Sequence, residues 1–347
     1  MPSNLQARGL FPLAVAVTAG LPFLFRSDYF ASIAIIFGLY AAINYAWTLV
    51  LATAGIFSFA TIAIVGVAGY VAALVGGAAP ASTSLETSSG GSLWLMLLCA
   101  TAVGAACGVV IAAPAIRLRG VYFGLFTFGL VQVCGAYFTQ SATFGYTTGL
   151  SGARGFVSDS AYGSETARLT QYFVAAGICL FSFLVYWISD RGSLGVRLRT
   201  AREDERFAAA LGIATVRARF SAFVISSALL GLIGGVYIGL YGSISPNIFS
   251  FETLLELFAM IVVGGIGSAP GVLIGALLII TIQEKLNQLG AVRFIIIGAL
   301  MVATVLFTRR GLVGILSHLS QHAARTTTAL KQRRQPPPGL LATDDGH

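Results

Sequence analysis

Long apolar runs separated by short polar segments dominate the chain, and this spacing admits few folds. A helix that crosses the hydrocarbon core of a bilayer needs about 20 mostly apolar residues. Ten segments read as such spans, at about 10–25, 30–51, 55–76, 92–114, 120–139, 170–189, 219–243, 252–269, 271–289 and 293–309. Hydrophobic residues make up 56% of the 347 and charged residues 10%, against about a quarter charged in a soluble domain. That leaves too few polar side chains to cover a soluble protein of this size. A soluble globular enzyme, a disordered chain and an ordinary nucleic-acid binder are excluded. The expected fold class is an all-α polytopic membrane protein with about ten transmembrane helices.

The basic residues orient it. With the N-terminus inside, sixteen of the 21 fall in inner segments: Arg8, Arg117, Arg119, the 190–219 loop, Arg309, Arg310 and the tail. Five fall outside: Arg26, Arg154, Arg168, Lys285 and Arg293. This bias, with an even number of spans, predicts both termini in the cytoplasm. The net charge of +8 therefore reads as topology, and no nucleic-acid partner is expected. Residues 1–9 form a short cytoplasmic N-terminus, 10–310 the transmembrane domain, and 311–347 a largely disordered cytoplasmic tail with Lys331, Arg333 and Arg334 beside three prolines. The first run follows Arg8 but lacks a convincing cleavage site before Arg26, so it reads as a retained helix.

Little in the chain suggests bond chemistry. Cys99, Cys107, Cys134 and Cys179 lie inside apolar stretches with no C-x-x-C spacing, as buried small hydrophobes do. His318 and His322 are i,i+4 neighbours at the edge of the polar tail, where a solvated helix face is expected rather than a metal site. Lys285 and Lys331 are the two lysines, and no G-x-x-x-x-G-K-[ST] occurs, so the chain has no P-loop of its own. Small-xxx-small spacing at Gly104/Gly108, Gly120/Gly124, Gly235/Gly239 and Gly271/Gly275 points to closely packed helices. Around Gly264, Gly265, Gly267, Gly271 and Gly275, glycine is dense enough to break a longer element.

Two features stand above this background. Ile56-Phe57-Ser58-Phe59-Ala60-Thr61 matches Ile248-Phe249-Ser250-Phe251-Glu252-Thr253 at five positions in six. The first copy would enter from the cytoplasmic side and the second from outside, as an inverted-topology repeat requires, with solute bound near the midplane. Ser58 and Thr61, opposite Ser250 and Thr253, are the candidate path-lining residues. The second feature is the 190–219 loop, which holds mixed charge and helix-favouring alanines, with Gly212 placed to end a short helix. The loop reads either as a connector that fixes topology or as a grip for a peripheral partner.

Several blocks resemble one family. Arg199-Thr200-Ala201-Arg202-Glu203-Asp204-Glu205 followed by Ala208-Ala209-Ala210-Leu211-Gly212-Ile213 looks like the cytoplasmic loop of branched-chain amino acid ABC transporter permeases of the LivM type. Arg117-Leu118-Arg119-Gly120-Val121-Tyr122-Phe123, Thr148-Gly149-Leu150-Ser151-Gly152, Ser245-Pro246 and the run Gly264 to Ala276 resemble further blocks, in order, over residues 30–310. The resemblance implies a helical bundle like other type II importers, in the bacterial cytoplasmic (inner) membrane. It implies a second related permease, two cytoplasmic P-loop ATPase subunits carrying ATP and Mg, and an extracytoplasmic solute-binding protein. It also implies a coupling helix containing Arg199, Arg202, Glu203, Asp204, Glu205, Ala209 and Gly212, and a small polar solute, branched-chain or related amino acids first. The chain departs from the family's G-Q-x-S-x-G-H pattern, holding Ile56, Ala60 and Thr61 at the glutamine, glycine and histidine positions.

Acidic groups within spans are costly and suggest function. Glu252 and Glu256, i,i+4 on one helix, are candidates for the path, whereas Glu284 lies beside Lys285. An alternative reading, an ion-coupled secondary transporter, makes Glu252/Glu256 an ion site but leaves the mixed-charge loop unexplained. A membrane enzyme would need a His, Asp, Cys or Glu cluster at one depth, and this acidic pair is the nearest approach to one.

Overall fold

The computed structural model describes residues 28–80, 91–115, 118, 120–156, 165–286, 288, 290, 292–307 and 311–314. The N-terminal segment, the expected span at 10–25, Arg117, Arg119, Arg309, Arg310 and the tail from 315 lie outside these residues.

Helix α1 spans Asp28–Thr48 and runs directly into a π-helical turn, Leu49–Thr53. The next four helices are α2 (Ala60–Val75), α3 (Leu93–Ala115), α4 (Val121–Gln140) and α5 (Glu165–Arg191). Two short helices, α6 (Ser193–Glu203) and α7 (Glu205–Ala210), precede α8 (Thr215–Tyr241), and α9 (Phe251–Gly264), α10 (Ala269–Lys285) and α11 (Val292–Phe307) follow. Among the described residues, five helices are long and apolar enough to cross a bilayer: Ala31–Thr53, Leu93–Ala115, Val121–Gln140, Ala167–Arg191 and Thr215–Tyr241.

The other expected spans depart from uniform length. α2, α9, α10 and α11 hold 16, 14, 17 and 16 residues, or about 21–26 Å at about 1.5 Å per residue. α2 starts late because the chain enters it through a non-helical stretch, 55–59, whereas α9 starts where expected, after the non-α-helical stretch 246–250, and ends early at Gly264. The region 252–289 is two helices joined by a tight turn rather than one bent element. Gly265 and Gly267 in that turn have φ of 114° and 86°, which side-chain-bearing residues rarely adopt. Beyond the turn the backbones interlock: a Cβ on Gly264 would collide with the Gly271 carbonyl, and one on Gly275 with the Met260 carbonyl.

α1 is the central post. Leu39, Ala41, Ala42, Tyr45, Ala46, Trp47 and Leu49 are all at or below 2% exposed. A helix apolar all round belongs in the interior of a bundle. α3 and α8 cross where small residues coincide. A Cβ on Gly104 would lie 2.6 Å from the Gly231 Cα, and one on Gly108 2.7 Å from Ser227 Oγ. Such contact between backbones is how apolar helices gain packing energy where lipid is as apolar as leucine. At the opposite end from α6 and α7, a three-stranded antiparallel sheet joins β1 (Ala79–Pro80), β2 (Leu150–Ser151) and β3 (Ser243–Ile244), pairing Ala79 with Ser151 and Leu150 with Ile244.

Candidate functional site

The two repeat copies fold alike locally. In the first, Ser58 Oγ accepts from Ala60 N–H at 3.2 Å, and α2 begins. In the second, Ser250 is the N-cap of α9 and its Oγ accepts from Thr253 N–H at 3.2 Å. A side-chain oxygen at a helix start satisfies an amide that has no partner within the helix. Irregular backbone inside a membrane bundle needs such partners, and the first copy has several. Trp47 Nε1 donates to the Ser58 carbonyl at 2.8 Å, Phe59 N–H donates to Thr127 Oγ1 at 2.9 Å, and Ile56 N–H donates to the Val50 carbonyl.

Both copies also lean on α4. A Cβ on Gly124 would lie 2.7 Å from Phe57, and one on Gly135 3.1 Å from Phe249. Phe128, between them on α4, packs edge-on against both Phe59 and Phe251, at ring separations of 6.4 and 5.8 Å.

A cavity of about 210 Å³ opens between α1, α2, α8 and the second repeat copy. Leu39 and Ile43 of α1, Ile62 and Val65 of α2, Ile233 of α8, Ile248 and Leu257 give it an aliphatic wall. Tyr40, Tyr237, Ser245, Asn247 and Thr253 add neutral hydroxyl and amide groups. Among the described residues no charged side chain lines it. Of the sequence candidates for the path, Thr253 is in this wall, whereas Ser58, Thr61, Ser250, Glu252 and Glu256 are not. Ser58 and Thr61 are buried, 4% exposed each. Tyr40, Tyr237 and Asn247 carry no isolated sequence signal, although Asn247 stands next to the Ser245-Pro246 block.

The acidic pair divides. Glu252 is exposed in the first turn of α9, where a carboxylate complements the helix dipole. Glu256 is 4% exposed and turned toward α10, where Gln283 Nε2 donates to its Oε1 at 2.8 Å. One turn on, Met260 Sδ accepts from Asn44 Nδ2 at 3.3 Å, while Asn44 Oδ1 has no partner among the described residues.

At the other end, the expected single cytoplasmic helix is two. Asp204, with φ −149° and ψ 112°, ends α6, and its carboxylate accepts from Arg206 and Phe207 N–H to cap α7. Gly212 then takes φ 75° after α7. The seven coupling candidates separate by direction. Arg199 reaches Asp190, 3.5 Å from its Oδ2, and Arg202 NH1 donates to the Ala52 carbonyl. Glu205 pairs with Arg219 of α8 at 3.3 Å, and Arg219 also donates to the Ala201 carbonyl. Glu203, Asp204, Ala209 and Gly212 are exposed, as are Arg199 and Arg202 despite their inward hydrogen bonds. Beside them Phe207 and Leu211, one turn apart, are 58% and 60% exposed, and no sequence candidate set included them.

Comparison with known proteins places this architecture. The family described as branched-chain amino acid transport system / permease component matches residues 29–305. The chain is 27% identical over 244 residues to the high-affinity branched-chain amino acid transport system permease protein LivM of Salmonella typhimurium, covering 63% of this chain and 57% of that one. It is 39% identical over 95 residues to the high-affinity branched-chain amino acid transport system permease protein LivH of Escherichia coli, 27% of this chain and 30% of that one. It is 24% identical over 226 residues to the fructose import permease protein FrcC of Rhizobium meliloti, 61% of each chain. The chain thus spans less than two thirds of the length of these relatives. No solved structure matches. The relatives are transport permeases rather than enzymes, and by its matched residues and its helices this chain is a multi-pass membrane protein of the branched-chain amino acid transport system permease component family.

Proposed function

We propose that this chain is the membrane-spanning permease subunit of an ATP-driven importer of branched-chain or related amino acids in the bacterial inner membrane. Both termini are cytoplasmic, so α6 and α7 face the cytoplasm and the small sheet faces outward. Two cytoplasmic P-loop ATPase subunits holding ATP and Mg dock on α6 and α7, a second related permease lies alongside, and an extracytoplasmic binding protein delivers solute. The two repeat copies belong to an inverted repeat; Thr253 lines the path, and Ser58, Thr61 and Ser250 stand beside it, Ser58 and Ser250 bracing the helix starts.

The cavity carries this reading. Its aliphatic wall suits a branched side chain, and its neutral hydroxyl and amide groups suit polar atoms of the same solute. A polyol such as fructose would leave hydroxyls against Ile43, Ile62 and Val65, at the cost of unpaired polar groups. The docking face supports it too. Phe207 and Leu211 stand exposed among Glu203, Asp204 and Arg206, as an apolar anchor within a charged rim. Transport then requires only that ATPase closure favour one of two conformations that bind solute differently. Ion-coupled secondary transport at Glu252/Glu256 is the weaker reading, since Glu256 is engaged by Gln283 away from the cavity.

The test is gentle-detergent purification of the tagged chain from its native membrane, assayed for bound ATPase and, in proteoliposomes, for ATP-dependent uptake of radiolabelled leucine. A P-loop subunit that accompanies the chain, and is lost from a Phe207→Ser/Leu211→Ser variant that still folds, supports the reading. A chain that purifies alone and moves leucine without ATP overturns it.

A further inference from the structure

Arg202 lies in the segment proposed to meet the ATPase, yet its guanidinium turns into the membrane domain. It donates to the carbonyl of Ala52, near the end of the first helix. Gly55 makes the approach possible: its φ is +69°, and a Cβ there would lie 2.9 Å from Arg202 Cγ. From the next residue along, Thr53 Oγ1 donates to Asp190 Oδ1 at 3.0 Å, and Asp190 in turn receives Arg199. α6 therefore holds one short stretch at the end of α1, residues 52 and 53, both directly and through the end of α5.

That stretch is the π turn Leu49–Thr53. Ala54 N–H donates to the Leu49 carbonyl five residues back, and Ile56 N–H to the Val50 carbonyl six back. A π turn carries one residue more than an α turn, and such turns occur where helices bend and at functional sites. Relaxing it to α-helix would shift the helix by one residue, about 1.5 Å of rise or about 100° of rotation. Further along α1, Leu39, Tyr40 and Ile43 wall the cavity. Tyr40 stands twelve residues from Ala52, about 18 Å away along one helix with no loop between.

We infer that Arg202, with Asp190 and Arg199, is a latch that sets the π turn of α1, so that movement of α6 and α7 reaches the cavity wall through this one helix. Arg202 is on this account a positioning residue rather than a docking residue. The inference rests on the proposed ATP-driven function and deepens it, because it names the route that links the docking segment to the cavity.

The experiment uses the complex purified from native membranes, with the four cysteines replaced and Tyr40→Cys introduced as a reporter. The rate at which a small maleimide labels position 40 is compared between the nucleotide-free and the vanadate-trapped, ADP-bound states. With Arg202 present the two rates should differ at least fivefold. Arg202→Ala should keep the ATPase bound and hydrolysing within twofold, while the labelling difference falls below twofold. Arg202→Lys, which still offers a donor to Ala52, should restore it. Thr53→Val, nearly the same shape without the hydroxyl, should reduce it even if Arg202→Ala does not fold. An undiminished difference in Arg202→Ala overturns the latch. So does release of the ATPase from Arg202→Ala, which would make Arg202 a docking residue. If Phe207→Ser/Leu211→Ser loses the ATPase while Arg202→Ala keeps it, docking and latching are separated and the latch is supported. If no ATPase accompanies the unaltered chain, the proposed function and the latch fall together.

Discussion

Glu256 shows how much one buried carboxylate depends on its neighbour. A charge taken out of water is costly unless it is hydrogen-bonded, and the Gln283 amide meets it across the α9–α10 hairpin. Glu256→Gln keeps an acceptor for that amide, so stability should change by less than about 1 kcal/mol and leucine uptake by no more than about twofold. Glu256→Leu leaves the Gln283 N–H buried without an acceptor and should cost about 1–3 kcal/mol, read as a lower unfolding temperature in detergent. Should Glu256→Gln fold normally and abolish uptake, the carboxylate would be an ion site after all. Gly264 makes the same point through space rather than charge. With the Gly271 carbonyl against it, Gly264→Ala should overpack the hairpin by about 1–3 kcal/mol, visible as a lower unfolding temperature with the fold otherwise kept.

Among the elements, the paired helices α6 and α7 depend most on one side chain. Asp204 interrupts a helix that the alanine content alone would continue, and its carboxylate caps α7. Removing the cap in Asp204→Ala should cost α7 about 1 kcal/mol. Hydrogen exchange at the Glu205–Ala210 amides should then speed up several-fold while α6 and α8 are unaffected. Equal acceleration in all three helices would mean that they open as one unit. Element boundaries are legible in the sequence where local chemistry marks them. The end of α7 at Gly212 is readable, because a left-handed terminator needs only glycine. The late start of α2 is not, because Ile56 and Phe57 are as apolar as α2 itself. Trp47, at the end of α1, and Thr127 and Gly124, from α4, brace this stretch outside a helix.

For the molecule as a whole, the cavity is the feature on which a transport reading stands. Val65 is 3% exposed and faces it from α2. Val65→Phe should push a ring into the cavity of about 210 Å³ and lower ATP-dependent leucine uptake at least tenfold, with the elution profile and bound ATPase unchanged. Uptake at the normal rate in a well-folded Val65→Phe protein would move the solute path elsewhere. The cavity draws its wall from α1, α2, α8 and the Ser245–Leu257 region, segments up to about 200 residues apart in the chain.

Separation along the chain divides the legible features from the others. The membrane class, the positions of most helices, the charged segment between α5 and α8 and the family resemblance all arise from local runs of side chains and their spacing, because burial in lipid is decided residue by residue. The repeat is visible as a string of letters, yet its two copies differ in place: one braces α2 against Trp47 and Thr127, the other supplies Asn247, Ile248 and Thr253 to the cavity. Tyr40 and Tyr237 in the wall, Glu256 against Gln283 and Arg202 against Ala52 are decided by tertiary structure alone. In a chain apolar almost throughout, hydrophobicity says that a side chain is buried and cannot say against what; that choice belongs to which helices meet, and to the glycines that let them meet closely.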